Sequence, residues 1–591
     1  MARDNPTARG NRMARDNPTA LGNPTVLGNP TAREKRPVWE ARGPRAAAAD
    51  RNPGDRPRVI IIGAGIGGLS TGCYAQMSGA ETRIFERHVL PGGCCTAWAR
   101  EDYIFDYCIE WLTGTGHNND ANRLWRELGA LDGKSIANFE MFNTVTDETG
   151  RSVTFYNDPD RLEAHLLEIS PRDARPIRAF CRDLRRFIRV NHYPFLTPPP
   201  LQSPREKLAT LRAVLPAFAL FWRTAVTRME SFCDRFEDPL LRRAFPFIFF
   251  QDHEVFPLLP YLFNMASAFH LNAGFPQGGS LGLARSVEDR YTALGGRVDY
   301  RARVERVLVE NDRAIGVELR GGERHFADHV VSACDGVTTI QGLLGGRYSS
   351  PRVDKLFGMT DRPDVLYPGM VSAFVGIDGE LDPAARHSTT YLLSDEDCAA
   401  LPGVLQKSLV VQMRSRYSDG FAPPGKSVVH CTYFSDYASW KRLRTTDRKA
   451  YWARKQEVAD FVRRFLERHH PGIGEAIEVV DVASPATTER YTGVRGGSIL
   501  GWKSFTAADD VITGLINKDR MRLPGLAGFS MAGQWFAGGS LIRAAAGGRF
   551  VTQYLCRELG LDFHAWESGS TTPWHPDQLG RLPQLETRRV R

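Results

Sequence analysis

The chain has 591 residues, too many for one simple core, so two or three packed lobes are expected. Its 42% hydrophobic and 24% charged residues are ordinary for a globular protein and exclude a fibrous or wholly disordered chain. The net charge of +8 does not mark a nucleic-acid binder: residues 1–58 hold 12 Lys/Arg against 6 Asp/Glu, so +6 of the excess lies there and no clustered basic face remains.

Residues 1–56 are low in complexity. Met1–Ala8 repeats at Met13–Ala20, and the Asn-Pro-Thr unit recurs at Asn23–Thr25 and Asn29–Thr31. Asn-Pro steps form turns and too few apolar residues are present to offset ordering entropy, so a disordered extension is expected, with an anchoring or targeting arm as the alternative. Its polar, Arg-rich character does not read as a secretory signal. No run reaches the ~18–20 apolar residues that span a bilayer. The ten cysteines lack CxxC or Cys/His spacing, so neither a disulfide framework nor a metal is expected, and a reducing cytoplasm fits.

Order is expected from Arg58. Val59–Ile62 reads as a buried strand, Leu69–Ser78 as a helix and Thr82–Glu86 as a second strand. Between the first two lies Gly63-Ala64-Gly65-Ile66-Gly67-Gly68. Gly63 permits the tight turn, Gly65 lets the backbone approach a pyrophosphate, and Gly68 lets the helix close on the strand, with its N-terminus toward the phosphates. Glu86 stands eighteen residues past Gly68, near the ~20 expected of an acid that binds ribose hydroxyls, and argues against a 2′-phosphate. The bland reading of Glu86 is a solvated strand-end charge.

Pro91-Gly92-Gly93-Cys94-Cys95-Thr96 follows, with room for a ligand bulkier than a nicotinamide dinucleotide at the strand edge. Cys94 and Cys95 are small residues that such a turn needs anyway; a redox pair is the alternative. Residues 120–275 read as mostly helical. Within them Leu211–Arg223 is apolar almost all round, which reads as a buried helix or else as a lid that dips into a membrane surface. Strands are expected at Arg297–Tyr300, Val304–Glu310, Ala314–Leu319, His329–Ala333, Val371–Ile377, Leu409–Met413, Ser427–Phe434 and Ile477–Ser484, with a long helix at Asp447–His469. A closing strand at Leu526–Met531 enters a third glycine segment, Ala532-Gly533-Gln534-Trp535-Phe536-Ala537-Gly538-Gly539-Ser540, then a helix at Leu541–Leu559. That helix N-terminus is suited to stabilising negative charge on a reduced ring system. Three such segments in this order point to one flavin dinucleotide, FAD. No cysteine falls within Ala532–Phe536, so it is expected to be noncovalent.

Arg83–Arg87, Pro91–Trp98 and Tyr103–Tyr107, with Ala532–Trp535, Gly538-Gly539 and Ala545–Arg549, resemble the phytoene desaturase-like flavoproteins, which include carotenoid desaturases, carotenoid isomerases and retinol saturase. Glu489–Gly493 with Gly501-Trp502 is similar to a pattern in bacterial members. The resemblance implies an α/β fold: a Rossmann-type FAD-binding domain of the amine oxidase/phytoene desaturase kind, an α+β substrate domain and a helical lid-like insertion. On this reading the FAD-binding domain is split over 57–150, 276–345 and 489–566. A helical substrate or lid region (151–275), an antiparallel-sheet substrate domain (346–488) and a disordered tail (567–591) complete the chain.

By the same resemblance, Glu86 and Arg87 contact the adenosine half and Val304 brackets the adenine. Gly533, Gly539, Ser540 and Leu541 lie along the isoalloxazine, while Ile66, Gly67, Gly92, Gly93 and Cys94 complete the cofactor set. The chain departs from the family where His-Trp-Leu becomes Glu110-Trp111-Leu112 and where Pro-Gly-Gly-Gly-Leu-Pro-Pro becomes Ala537–Arg543. Glu110 is the candidate base, if a desolvated site raises its pKa; Arg543 is the candidate for a substrate carboxylate or for the reduced flavin's charge. Each has an ordinary ion pair as its alternative. The expected activity is dehydrogenation or desaturation of a lipophilic substrate by hydride transfer to flavin, with peripheral membrane association and O2, a quinone or another electron acceptor. An isomerase, a saturase, an amine-oxidase-like tailoring enzyme and a non-enzymatic binder stay open beside it.

Overall fold

The run Arg58–Ile62 forms strand β1 with every residue buried, as a strand covered on both faces requires. Helix α1 (Ile66–Met77) and strand β2 (Glu81–Phe85) follow. With β3 (Arg297–Asp299), β4 (His329–Ser332) and β5 (Phe529–Met531) they build a five-stranded sheet in the order β3-β2-β1-β4-β5, every pair parallel. The fold is α/β of the Rossmann kind expected. A computed structural model describes residues 55–580 and 582, apart from 118, 191–195, 250–255, 350, 359–365, 383, 504–520 and 538, all within one compact unit. The repeats before residue 55 lie outside the described residues.

Helix α2 (Leu541–Leu559) packs along α1 through small residues. A Cβ on Gly548 would stand 2.7 Å from the Gly67 carbonyl oxygen, and Ser70 Oγ donates to the Ala545 carbonyl at 2.7 Å. This closeness brings the glycine turn after β1 against the one after β5.

A second sheet of seven strands runs Ile477–Ala483, Gly369–Ile377, Ser427–Ser435, Ser408–Met413, Ser388–Leu392, Met141–Thr146 and Ser152–Tyr156, mixed because Ser388–Leu392 pairs parallel with Met141–Thr146. Two of these strands fall at the start of the stretch read as mostly helical, so the sheet crosses the boundary drawn at residue 150.

Two expectations are corrected. The Leu211–Arg223 stretch is not one buried helix: helix Pro204–Val214 ends before a 3-10 turn, Leu215–Ala217, and a second helix runs Phe218–Val226. Pro216 lacks an N–H and its ring crowds the preceding turn. Leu215, Phe218 and Trp222 are 64, 57 and 65% exposed. Part of the tail is also packed, because Trp574 is buried in a cluster with Leu90, Ala97, Leu281 and Leu579.

Candidate functional site

All three glycine segments meet. In the first, Gly63 donates its N–H to the Phe85 carbonyl at 2.9 Å, and a Cβ on Gly68 would stand 2.0 Å from the Gly63 oxygen, so only glycine lets α1 start this close to β1. The second is tied to the first by the Gly92 N–H, which donates to the Ala64 carbonyl at 2.8 Å, and by a bridge between Gly65 and Gly92. The third reaches the first at Gly67, where a Cβ would lie 2.7 Å from the Gly533 Cα.

They enclose a cavity of about 910 Å³, at the upper end of the ~300–1,000 Å³ typical of ligand pockets. Gly63, Gly65, Ile66, Gly67, Glu86, Arg87, Gly92, Gly93, Cys94, Val304, Gly533, Gly539, Ser540, Leu541, Glu110 and Arg543 all line it. Gly68 does not; it packs α1 on β1.

Glu86 follows the end of β2 and is buried, which overturns the solvated strand-end reading. Its two carboxylate oxygens accept the N–H groups of Ala64 and His88 at 2.8 and 2.7 Å. Burial pushes its pKa up while those two donors pull it down. Each oxygen keeps a further lone pair for a ligand hydroxyl. Helix α1 has Gly65 at its N-cap with no side-chain cap, so its first-turn N–H groups are left for a ligand. A Cβ at Gly65 would meet only the Gly92 oxygen, at 4.0 Å. An open glycine face, uncapped helix N–H groups and a buried acceptor beyond them are the donor and acceptor set of a dinucleotide, and the cradle fits one.

Aromatic side chains line the same cavity: Trp111, Phe221, Phe249, Phe256, Phe263 and Tyr367, with Trp502 and Trp535 packed edge to face at 5.2 Å between ring centres. The Phe536 side chain and Gly538 lie outside the described residues. All ten cysteines are free thiols; burial pushes Cys94 up to about 12, and Cys95 donates to the Ser280 carbonyl, so the pair is no disulfide.

Glu110 sits between the two readings given to it. Its Oε1 accepts from Arg414 Nη2 at 2.9 Å, while Oε2 has no partner among the described residues. Burial lifts its pKa to about 7 against the pull of Arg414. Arg543, in the first turn of α2, donates its backbone N–H to Ser540 Oγ at 3.3 Å. Sequence reasoning passed over Arg414, which reaches Glu110 from a distant segment, and Asp106, four residues before it. It also gave no site role to Tyr491, Thr492 and Gly493, which line the cavity within the Glu489–Gly493 motif. Arg87 Nη2 donates to the Arg490 carbonyl at 2.6 Å, which joins that motif to the end of β2. Among the described residues no His, Cys, Asp and Glu group is placed to hold a metal ion.

A sequence profile described as flavin containing amine oxidoreductase matches residues 66–488. The chain is 24% identical over 470 residues to the chloroplastic prolycopene isomerase of Arabidopsis thaliana, covering 73% of this chain and 72% of that protein. It is 27% identical over 306 residues to the lycopene-forming phytoene desaturase of Pseudescherichia vulneris, covering 49 and 58%. Against the all-trans-retinol 13,14-reductase of Danio rerio it is 23% identical over 486 residues, covering 77 and 78%. Among solved structures, cyclohexylamine oxidase from Brevibacterium oxydans superposes with a TM-score of 0.52 at 13% identity, covering 86% of this chain and 100% of that one; this is a likeness of fold. The resemblance drawn from the glycine segments is borne out.

Proposed function

The chain belongs to the flavin-containing amine oxidoreductases and is an FAD-dependent oxidoreductase, and on that footing we propose that it dehydrogenates or desaturates a lipophilic isoprenoid, polyene or acyl-chain substrate. The observation that carries the proposal is the cavity's mixed lining: glycines, helix N–H groups and Glu86 together with a set of aromatic side chains. Its sequence relatives bear the names of carotenoid and retinoid enzymes, which supports a long apolar substrate over an amine.

We assign the phosphate-facing wall to Gly65, Ile66, Gly67, Gly92, Gly93 and Cys94, the adenosine end to Glu86, Arg87 and Val304, and the ring side to Gly533, Gly539, Ser540 and Leu541. FAD held there, without a covalent link, supplies the hydride acceptor. The apolar wall orients a substrate C–H bond and excludes water; such positioning supplies most of the acceleration in reactions of this class. Glu110 takes the proton, and Arg543 balances negative charge near the start of α2. The electrons leave to O2, a quinone or a similar acceptor.

The exposed helices that carry Phe221 into the cavity lining are assigned to substrate delivery. Leu208, Leu211, Leu215, Phe218, Trp222 and Val226 form an apolar face with Arg205, Lys207 and Arg212 exposed on the same helices, and Phe221 between them lines the cavity. Such a face rests on an anionic lipid surface. No helix among the described residues is long and apolar enough to cross a membrane.

A second reading, isomerisation or saturation by the reduced enzyme, is favoured by the near-neutral carboxyl at Glu110, which gives a proton as readily as it takes one. Anaerobic mixing of the oxidised holoprotein with detergent-dispersed polyenes and retinoids separates the two. Bleaching of the flavin band supports dehydrogenation. A product formed with no bleaching, or only after prior reduction of the enzyme, supports the second reading, and bleaching by alkylamines alone overturns both.

A further inference from the structure

The floor of the cavity at Glu110 is an ion cluster with an odd count of charge: one guanidinium and two carboxyls, all withdrawn from water. Arg414, directly after the Ser408–Met413 strand, is fully buried. Its Nη1 donates to the Ile109 carbonyl at 2.7 Å and its Nη2 to Glu110 Oε1 at 2.9 Å. Nη2 also approaches His430 Nδ1 at 3.3 Å. Asp106, at the end of the Tyr103–Asp106 strand, is better supplied: Oδ2 accepts the Ser280 N–H at 2.6 Å and Oδ1 the Ser280 hydroxyl at 2.9 Å. That hydroxyl in turn accepts the N–H of Ile109 at 2.9 Å. Asp106 thus has two donors, whereas Glu110 has one and an oxygen with none among the described residues. A buried cation needs one compensating anion, and a second buried carboxylate short of donors is costly.

Resting on the reading of Glu110 as acid–base group, we infer that Asp106, Arg414 and Glu110 form one cluster holding a single exchangeable proton on Glu110 Oε2, with Asp106 the standing counter-ion and Arg414 the positioning residue. Among the described residues Arg414 and Asp106 are the charged groups that act on Glu110, while Arg416 and Arg386 act on His387 beyond it. His430, from the Ser427–Ser435 strand, is pressed far below its ordinary range by burial and then by Arg414, so it is neutral. Tyr417, under the guanidinium at 5.0 Å, is pushed up by burial and stays a neutral phenol. His387 shares a second, smaller cavity of about 40 Å³ with Glu110 and is pushed down to about 3, chiefly by burial. Arg543 faces the larger cavity from α2. Burial is the largest influence on both carboxyls, leaving Asp106 near 6 and Glu110 near 7, and Asp106's charge is part of what raises Glu110. The smaller cavity is also lined by Asn138, which is exposed, so Glu110 borders a polar space besides the substrate cavity.

The test is an infrared pH titration of the purified holoprotein that follows the carboxylic-acid C=O band between about pH 5 and pH 9, beside Glu110→Gln, Asp106→Asn and Arg414→Gln. The cluster predicts a band in the wild type with a midpoint near pH 7, lost in Glu110→Gln. It moves down by at least about one unit in Asp106→Asn, where the guanidinium serves Glu110 alone, and up in Arg414→Gln. Should Arg414→Gln fail to fold, Asp106→Asn carries the test. A band with its midpoint near pH 7 that survives Glu110→Gln, the absence of that band from the wild type at about pH 6, or an unmoved midpoint in Asp106→Asn overturns the proposal. These readings need no substrate, so failure of the polyene experiment overturns the functional reading and leaves the cluster to stand or fall by its own titration.

Discussion

Gly67 and Gly533, from opposite ends of the folded chain, are in backbone contact: a Cβ on Gly67 would stand 2.7 Å from the Gly533 Cα. Helices α1 and α2 each start from one of these turns, so the contact sets how far apart the two helix N-termini lie. Gly67→Ala is expected to cost about 1–3 kcal/mol, as overpacking of a tight contact does, because backbone must shift. A fall of several degrees in Tm, with weaker flavin retention, checks it; an unchanged Tm contradicts it.

Glu86→Gln replaces one oxygen that accepts a backbone N–H with an amide NH2, which sets donor against donor. The same change takes a charged acceptor from the ribose hydroxyls, and losing one such bond to the ligand costs about 1–3 kcal/mol, so FAD dissociates about 10–100-fold more readily. The recovery of free-flavin fluorescence on dilution measures this. Equal retention by Glu86→Gln would falsify the ribose assignment.

The pH profile has a defined sign. Glu110 accepts a proton only when ionised, so the rate of anaerobic flavin reduction rises with pH through about 7 and then levels. In Glu110→Gln it is flat and about 10²–10⁴-fold lower. Stability moves the other way. A carboxyl raised in the fold from 4.5 to about 7 contributes stability below 4.5 and loses it as pH rises through 7. Wild type should therefore lose Tm relative to Glu110→Gln between acid and mildly alkaline buffer, and a constant difference between the two would exclude the raised pKa.

Replacing Leu215, Phe218 and Trp222 together by Ser removes exposed apolar surface, so Tm should change by no more than about 0.5 kcal/mol per site in equivalent stability. Sedimentation with anionic vesicles should drop several-fold. Undiminished vesicle binding would sink the lipid-docking reading.

Local signals were legible and long-range pairings were not. The strand Val304–Glu310 and the helix Leu541–Leu559 lie where their periodicity places them, and the Gly63–Gly68 turn with Glu86 is a contiguous motif. Ser388–Leu392 and Met141–Thr146 escaped notice because each is short, and the parallel pairing that joins them links segments far apart in the chain. The same holds for Arg414, whose importance appears only when the fold sets it against Glu110 and Asp106. The Leu211–Arg223 stretch misled because exposed apolar side chains have the same composition as buried ones, and only the fold tells which they are.

The flavin-to-protein ratio of a Gly65→Val variant tests most directly whether the three glycine segments hold one FAD, since a side chain there meets only the Gly92 oxygen, at 4.0 Å, and enters the cradle without backbone strain. In wild type the flavin released on denaturation should be FAD at about one per chain; in the variant it should be nearly absent while far-UV circular dichroism is unchanged. A wild type without flavin, or a Gly65→Val protein that keeps its full complement, would show that these segments hold no FAD.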